Sequence, residues 1–265
     1  MDADLIANLA TKTALAVAVF LAVALLAERA GAFMAGLLMT FPANSGAGFA
    51  LIMFEQPREF LSTAALVSFA MTGPILVFMS AYVVASRWFG FLLALGIALA
   101  LWWVGAVLVL KFESTLPHAF ASAAVGVLIA IATASRGRPP APQPQGPTAN
   151  AWWPTIARAV LGGAMIAAVA FLSGTIGPTW SGLLLAFPTL MCGSAWILSR
   201  RFGDRFAAET LAKSKIALLS YASFNLALHY AAGPLSGPQA VGVCTLLAVA
   251  VSACVAYGRH AGSRR

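Results

Sequence analysis

Two Phe-Pro pairs, Phe41-Pro42 and Phe187-Pro188, are the places in this sequence where local chemistry is most expected. Proline has no amide hydrogen to donate and its ring clashes with the carbonyl four residues back, so a helix kinks or opens there. Opened carbonyls with neighbouring hydroxyls and amides would suit a solute-binding site. The alternative interpretation is two kinked helices that pack through small residues. The polar candidates beside the pairs are Asn44, Ser45, Thr189 and Ser194.

A second group of candidates combines positive charge with polar side chains. At about 100° per helical residue, Lys215, Asn225 and His229 fall on one side of a helix over residues 207–231. Together with Arg158, Lys215 would offer positive charge to an anionic solute. The alternatives are that Lys215 extends to lipid headgroups and that His229 lies at the membrane interface.

The sequence lacks the patterns that carry catalysis. It has no H-E-x-x-H, no G-x-S-x-G and no phosphate-binding glycine-rich loop. All eight acidic residues are expected at helix ends or in loops, and Cys192, Cys244 and Cys254 occur singly in apolar stretches. We therefore expect no catalytic residue, no metal site and no cofactor, and predict that the protein is not an enzyme.

Composition defines the surroundings of these residues. Of 265 residues, 61% are hydrophobic and 9% are charged, whereas soluble domains carry about 25% charged residues. Apolar stretches of about 20 residues recur, enough to cross a hydrocarbon core as helices and too long for barrel strands. The net charge of +8 comes from residues in loops and at helix ends, so membrane topology explains it better than a nucleic-acid partner.

The pattern predicts an all-α polytopic membrane protein with three parts: residues 1–134 as a first repeat plus a linking helix, 135–152 as a proline-rich cytoplasmic linker, and 153–265 as a second repeat. The nine predicted transmembrane helices cover residues 6–29, 34–54, 60–86, 88–110, 117–134, 153–174, 180–199, 207–231 and 237–257.

The distribution of Lys and Arg predicts orientation. Of 16 such residues only Lys12, Arg58 and Lys111 fall on the side opposite the linker, which leaves 13 on the linker side. Positive residues accumulate on the cytoplasmic side of a membrane. We therefore expect a bacterial inner (plasma) membrane protein with its amino terminus outside and its carboxyl terminus in the cytoplasm.

An internal repeat surrounds the Phe-Pro pairs. The segment 35–42, AGLLMTFP, returns at 181–188 as SGLLLAFP, with five of eight positions identical and an offset of 146 residues. One helix, the fifth, lies between the two predicted four-helix copies and would invert the second copy. Inverted-topology repeats are the plan of many secondary transporters, whose substrate sites lie near the midplane.

The repeated unit resembles the GlpM-like family of small four-helix membrane proteins, which carry a similar Ala/Ser-Gly-Leu followed by Phe-Pro-Thr in their second helix. Phe187-Pro188-Thr189 matches the full triplet, whereas Phe41-Pro42-Ala43 departs at its third position. The resemblance covers about four helices in each half. It implies a membrane fold, with this chain similar to a fused antiparallel pair, and implies no defined activity.

Two functions are compatible with these patterns. The first is a small secondary transporter or permease that moves a small anionic or lipid-linked solute by alternating access between inverted repeats. The second is a non-transporting accessory or scaffold subunit of an envelope-biosynthesis or export complex. Expected partners are the lipid bilayer, the solute, and a second copy or a larger membrane complex, without nucleic acid.

Overall fold

The computed structural model describes residues 43–134 and 152–262, and the single positions 14 and 18. Within these residues all regular structure is helical and there is no strand. The first predicted helix, the start of the second and most of the linker lie outside the described residues. The α-helices are α1 (Ala43–Ile52), α2 (Arg58–Ala70), α3 (Thr72–Ala85), α4 (Phe91–Lys111), α5 (Leu116–Ala132), α6 (Trp152–Leu185), α7 (Thr189–Phe202), α8 (Asp204–Ser214), α9 (Leu218–Ala231) and α10 (Gly237–Gly262). Helix α6 is interrupted by a kink at Gly177, whose φ of 76° is not helical, so its two parts correspond to the predicted helix over 153–174 and the start of the next one.

Four helical stretches of the described residues are long and apolar enough to cross a membrane, at 58–85, 91–111, 159–202 and 237–258. The apolar helix α5 is shorter, with 17 residues. An apolar crossing of about 20 residues matches the thickness of a bilayer. The helices therefore indicate a membrane protein, as the composition predicts.

Three of the predicted helices are interrupted where the pattern suggested continuity. The helix expected over 60–86 is divided at Met71 into α2 and α3. The helix expected over 207–231 is divided by a 3-10 turn, Lys215–Ala217, into α8 and α9. Leu185 ends α6 and Thr189 starts α7, so Phe187-Pro188 lies between two helices rather than inside one.

The helix boundaries of the two halves have the same spacing. Helices α2, α3 and α4 begin at residues 58, 72 and 91, whereas α8, α9 and α10 begin at 204, 218 and 237. Each pair of starts differs by 146 residues, the same offset that relates the two Phe-Pro pairs. The break between α2 and α3 therefore has its equivalent in the break between α8 and α9.

Helices α2 and α9 pack against each other in antiparallel directions. The Ser62 hydroxyl of α2 lies 3.0 Å from Nδ1 of His229 in α9. Further along α2, the carbonyl of Ser68 accepts a hydrogen bond of 2.8 Å from the Tyr221 hydroxyl, two turns earlier in α9. Helices α2 and α9 thus run in opposite directions at this contact.

The segment 58–85, formed by α2 and α3, is the centre of the described bundle. Within the most apolar 18-residue stretch of this segment, 89% is buried inside the protein, compared with 22% for α4 and 28% for α10. Helix α4 packs on α3, and α10 packs in the equivalent way on α9. The outer faces of α4 and α10 carry many exposed large apolar side chains, which suits contact with lipid.

Helix α5 packs on α3 beside Pro74, which lies in the first turn of α3. Pro74 cannot donate to the carbonyl of Ala70, and the Ser122 hydroxyl of α5 donates to that carbonyl instead, at 2.8 Å. One turn later, a Cβ added at Gly126 would lie 2.6 Å from the Cα of Gly73. Small residues therefore let the two backbones approach closely, as is common between membrane helices.

Candidate functional site

A buried polar cluster lies where α1, α2, α6 and α9 meet, and we call it the polar core. The side chains of Ser45, Ser68, Ser181 and Asn225 are completely buried there, and Tyr221 is 6% exposed. Each of the four helices contributes at least one of them. Polar groups removed from water in this way are costly unless they are hydrogen-bonded, so their partners decide what the cluster can do.

A chain of hydrogen bonds joins three helices of the polar core. The Tyr221 hydroxyl of α9 donates to the Ser68 carbonyl of α2 at 2.8 Å, and the Ser68 hydroxyl donates to the Gly182 carbonyl of α6 at 2.8 Å. Gly182 allows this contact because a Cβ there would lie 2.3 Å from the carbonyl oxygen of Ala64. The second copy of the repeated segment therefore packs directly on α2.

Two buried atoms of the polar core have no hydrogen-bond partner among the described residues, the Ser181 hydroxyl and the side-chain carbonyl of Asn225, whereas the Ser45 hydroxyl faces the Tyr221 hydroxyl. The Asn225 amide donates to the Tyr221 carbonyl of its own helix at 2.8 Å, which leaves its Oδ1 without a donor. An unsatisfied buried polar group costs about 1–3 kcal/mol. A solute or an ordered water that supplied the missing hydrogen bonds would remove that cost.

The Phe187-Pro188 break lies against the first half of the chain. The Phe187 ring meets the completely buried Trp102 of α4 edge-on, with ring centroids 5.1 Å apart. Pro188 precedes the first residue of α7, and the hydroxyl of Thr189 points to Sδ of Met165 at 3.1 Å. Ser194, one turn into α7, is also buried. The break is thus a packed joint between α6 and α7.

The three residues predicted to form a polar face on the helix over 207–231 lie in three different environments. Lys215 lies in the 3-10 turn and its ammonium donates to the Thr133 hydroxyl at the end of α5, at 3.2 Å. Asn225 belongs to the polar core. His229 is half-buried, and its Nδ1 lies 3.0 Å from both the hydroxyl and the carbonyl of Ser62. These three residues do not share a single site in this conformation.

Four of the predicted site residues have no described side chain. Phe41 and Pro42 lie outside the described residues. Asn44 and Arg158 belong to the backbones of α1 and α6, and their side chains are not described. The structure therefore places Ser45, but not the first Phe-Pro pair, beside the polar core.

Sequence reasoning missed several polar-core residues. Ser181 lies within the repeated eight-residue segment, so the repeat itself was a signal for it. Ser68 and Tyr221 carry no comparable local signal, since each becomes notable only through the contact between α2 and α9. In the sequence, Trp102 likewise carries no signal that distinguishes it from the other apolar residues of its helix.

No family model, curated protein or solved structure matches this chain. Across residues 43–134 and 152–262, no group of three or more His, Cys, Asp and Glu side chains is arranged to hold a metal ion. The polar core offers neutral hydroxyl and amide groups. Its chemistry is therefore that of binding by hydrogen bonds.

Proposed function

We propose that this protein is a small secondary transporter whose solute binds at the polar core beside the Phe187-Pro188 break. The observation that carries the proposal is the pair of fully buried polar atoms without described partners, on Ser181 and Asn225. Irregular backbone at membrane depth is tolerated where it is buried in protein or lines a cavity. The Phe187-Pro188 break ends the helix that carries Ser181, and discontinuous helices line the binding sites of many transporters.

The proposal includes two inverted copies of one four-helix unit, joined by α5 and the linker, with nine crossings in all. The shared offset of 146 residues between helix starts supports two copies. The antiparallel contact of α2 with α9 supports their inversion, because these helices belong to equivalent segments. The likeness to a fused pair of GlpM-like units is part of the same proposal, as is the inner-membrane orientation with a cytoplasmic carboxyl terminus.

The contact between the halves suggests how access would alternate. The hydrogen bonds from Tyr221 to Ser68 and from Ser68 to Gly182 close the polar core in this conformation. If α9 slid along α2, these bonds would break and the core would open. The proposed solute class, a small anionic or lipid-linked molecule, rests on the basic residues Arg158 and Lys215 that the sequence analysis identified.

Alternating access is testable without knowing the solute. We expect a water-soluble, membrane-impermeant thiol reagent to modify Ser45→Cys and Ser181→Cys in membranes, although both positions are buried here, since a transporter must expose its site to water. A second pair of cysteines, Ser62→Cys and His229→Cys, would replace two side chains that touch across α2 and α9, and an oxidant is expected to join them by a disulfide. Closing that disulfide should slow the modification about tenfold or more, because α9 can then no longer slide along α2.

The control position is Ala98→Cys in α4, which is equally buried but lies outside the polar core. It should stay unmodified, which separates opening of the polar core from general unfolding. If Ser45→Cys and Ser181→Cys resist the reagent as fully as Ala98→Cys does, the core is a static packing feature. That result would favour the accessory or scaffold subunit over the transporter.

A further inference from the structure

Two basic residues from different halves of the chain come together beside the end of α5. Lys215, in the turn between α8 and α9, is half-buried and donates to the Thr133 hydroxyl at 3.2 Å. Arg87 follows the end of α3, and its charge repels the ammonium of Lys215. Thr133 accepts from Lys215 while its own hydroxyl donates to the Ile129 carbonyl at 2.7 Å. Lys215 and Thr133 are therefore in contact, and Arg87 lies close enough for its charge to act on Lys215.

This pair lacks a negative partner in the described part of the chain. Neither Arg87 nor Lys215 forms an ion pair with a described carboxylate, whereas Lys213, only two residues before Lys215, pairs with Glu209 at 3.0 Å. The nearby acid Asp204 is engaged by the Phe91 amide at 3.1 Å and by the Ser199 hydroxyl. Two cations close together in a partly buried place are unfavourable unless an anion joins them.

We infer that Arg87, Lys215 and Thr133 form a binding site for a phosphate group, and specifically for the headgroup of an anionic phospholipid. Arginine presents a planar fork of donors and lysine a compact charge, a combination that suits phosphate oxygens. Exposed Trp88 and Phe89 follow Arg87 directly, and aromatic side chains of this kind lie at the level of lipid headgroups. The inference goes beyond the proposed transport, since a bound lipid would join the halves whether or not they move.

The test uses the full chain in nanodiscs of phosphatidylcholine, of phosphatidylglycerol, and of phosphatidylcholine with inorganic phosphate in the buffer. A ligand that binds only the folded state raises the unfolding temperature. We expect phosphatidylglycerol to raise the Tm of the unmodified protein by about 5 °C. The rise should disappear in Lys215→Gln and Arg87→Gln, and should persist in the matched control Lys213→Gln and in the charge-preserving Lys215→Arg.

The outcomes separate the sources of the phosphate. A rise in phosphatidylglycerol alone identifies a lipid headgroup, and a rise with inorganic phosphate in phosphatidylcholine identifies a soluble ligand of the same site. No rise in either, or an equal loss in Lys213→Gln, overturns the site. Native mass spectrometry of the unmodified protein gives a reading that needs no variant: preferential retention of phosphatidylglycerol over phosphatidylcholine supports the site, and equal retention contradicts it.

Discussion

Replacing Gly182 with alanine is expected to destabilise the protein by about 3 kcal/mol, as overpacking of a tight core does. The new Cβ would lie 2.3 Å from the carbonyl oxygen of Ala64 and 3.0 Å from its carbonyl carbon. Both are backbone atoms and cannot rotate away, so α2 and α6 must separate. Separation would also lengthen the hydrogen bond from Ser68 to the Gly182 carbonyl, now 2.8 Å, and would loosen the polar core.

The matched control is Gly242→Ala, in the interior of α10, where an added Cβ meets nothing within 4 Å. Alanine at an open helical position should be neutral or stabilising by about 0.5–1 kcal/mol. Thermal unfolding of both variants in the same detergent measures the difference. Equal behaviour of the two variants would show that α2 and α6 do not pack as closely as the structure has them.

Truncating Trp102 to alanine is expected to cost about 3–5 kcal/mol, the range for removing a large aromatic side chain from a core. The indole is completely buried, and its centroid lies 5.1 Å from that of Phe187 and 5.0 Å from that of Trp103. The cavity would lie directly against the Phe187-Pro188 break. We therefore expect Trp102→Ala to impair function as well as stability, since the joint between α6 and α7 would lose its support.

Trp102→Phe should retain most of the stability. The indole Nε1 has no hydrogen-bond partner among the described residues, so phenylalanine loses volume but no hydrogen bond. Trp103→Ala is the positional control, because Trp103 is 43% exposed and truncation there should cost less. The measurement is the unfolding temperature of the three variants. A loss of stability in Trp103→Ala as large as that in Trp102→Ala would be inconsistent with this packing.

Much of the architecture could be predicted because its signals are local in sequence. Continuous apolar stretches indicate membrane helices wherever they occur. The proline of Phe187-Pro188 removes an amide donor, and the structure indeed ends one helix at Leu185 and begins the next at Thr189. The offset of 146 residues, first visible in eight residues of sequence, also relates the helix starts.

The remaining features depend on contacts that a one-dimensional pattern does not contain. The breaks at Met71 and at Lys215–Ala217 interrupt stretches whose composition favours a continuous helix. The first break lies beside Pro74, but the hydrogen bond that satisfies the freed Ala70 carbonyl comes from Ser122 of α5, 52 residues away. The polar core likewise forms only when Tyr221 of α9 reaches Ser68 of α2, 153 residues away in the chain.

The orientation of the two repeats is tested most directly by thiol labelling at equivalent positions from defined sides of the membrane. Glu59 in α2 and Arg205 in α8 are both exposed and are separated by the repeat offset of 146 residues. Each would be replaced singly by cysteine after Cys192, Cys244 and Cys254 are changed to serine. Inverted repeats predict that Glu59→Cys reacts only from outside the cell and Arg205→Cys only from the cytoplasm. Reaction of both cysteines from the same side would contradict the inverted repeat.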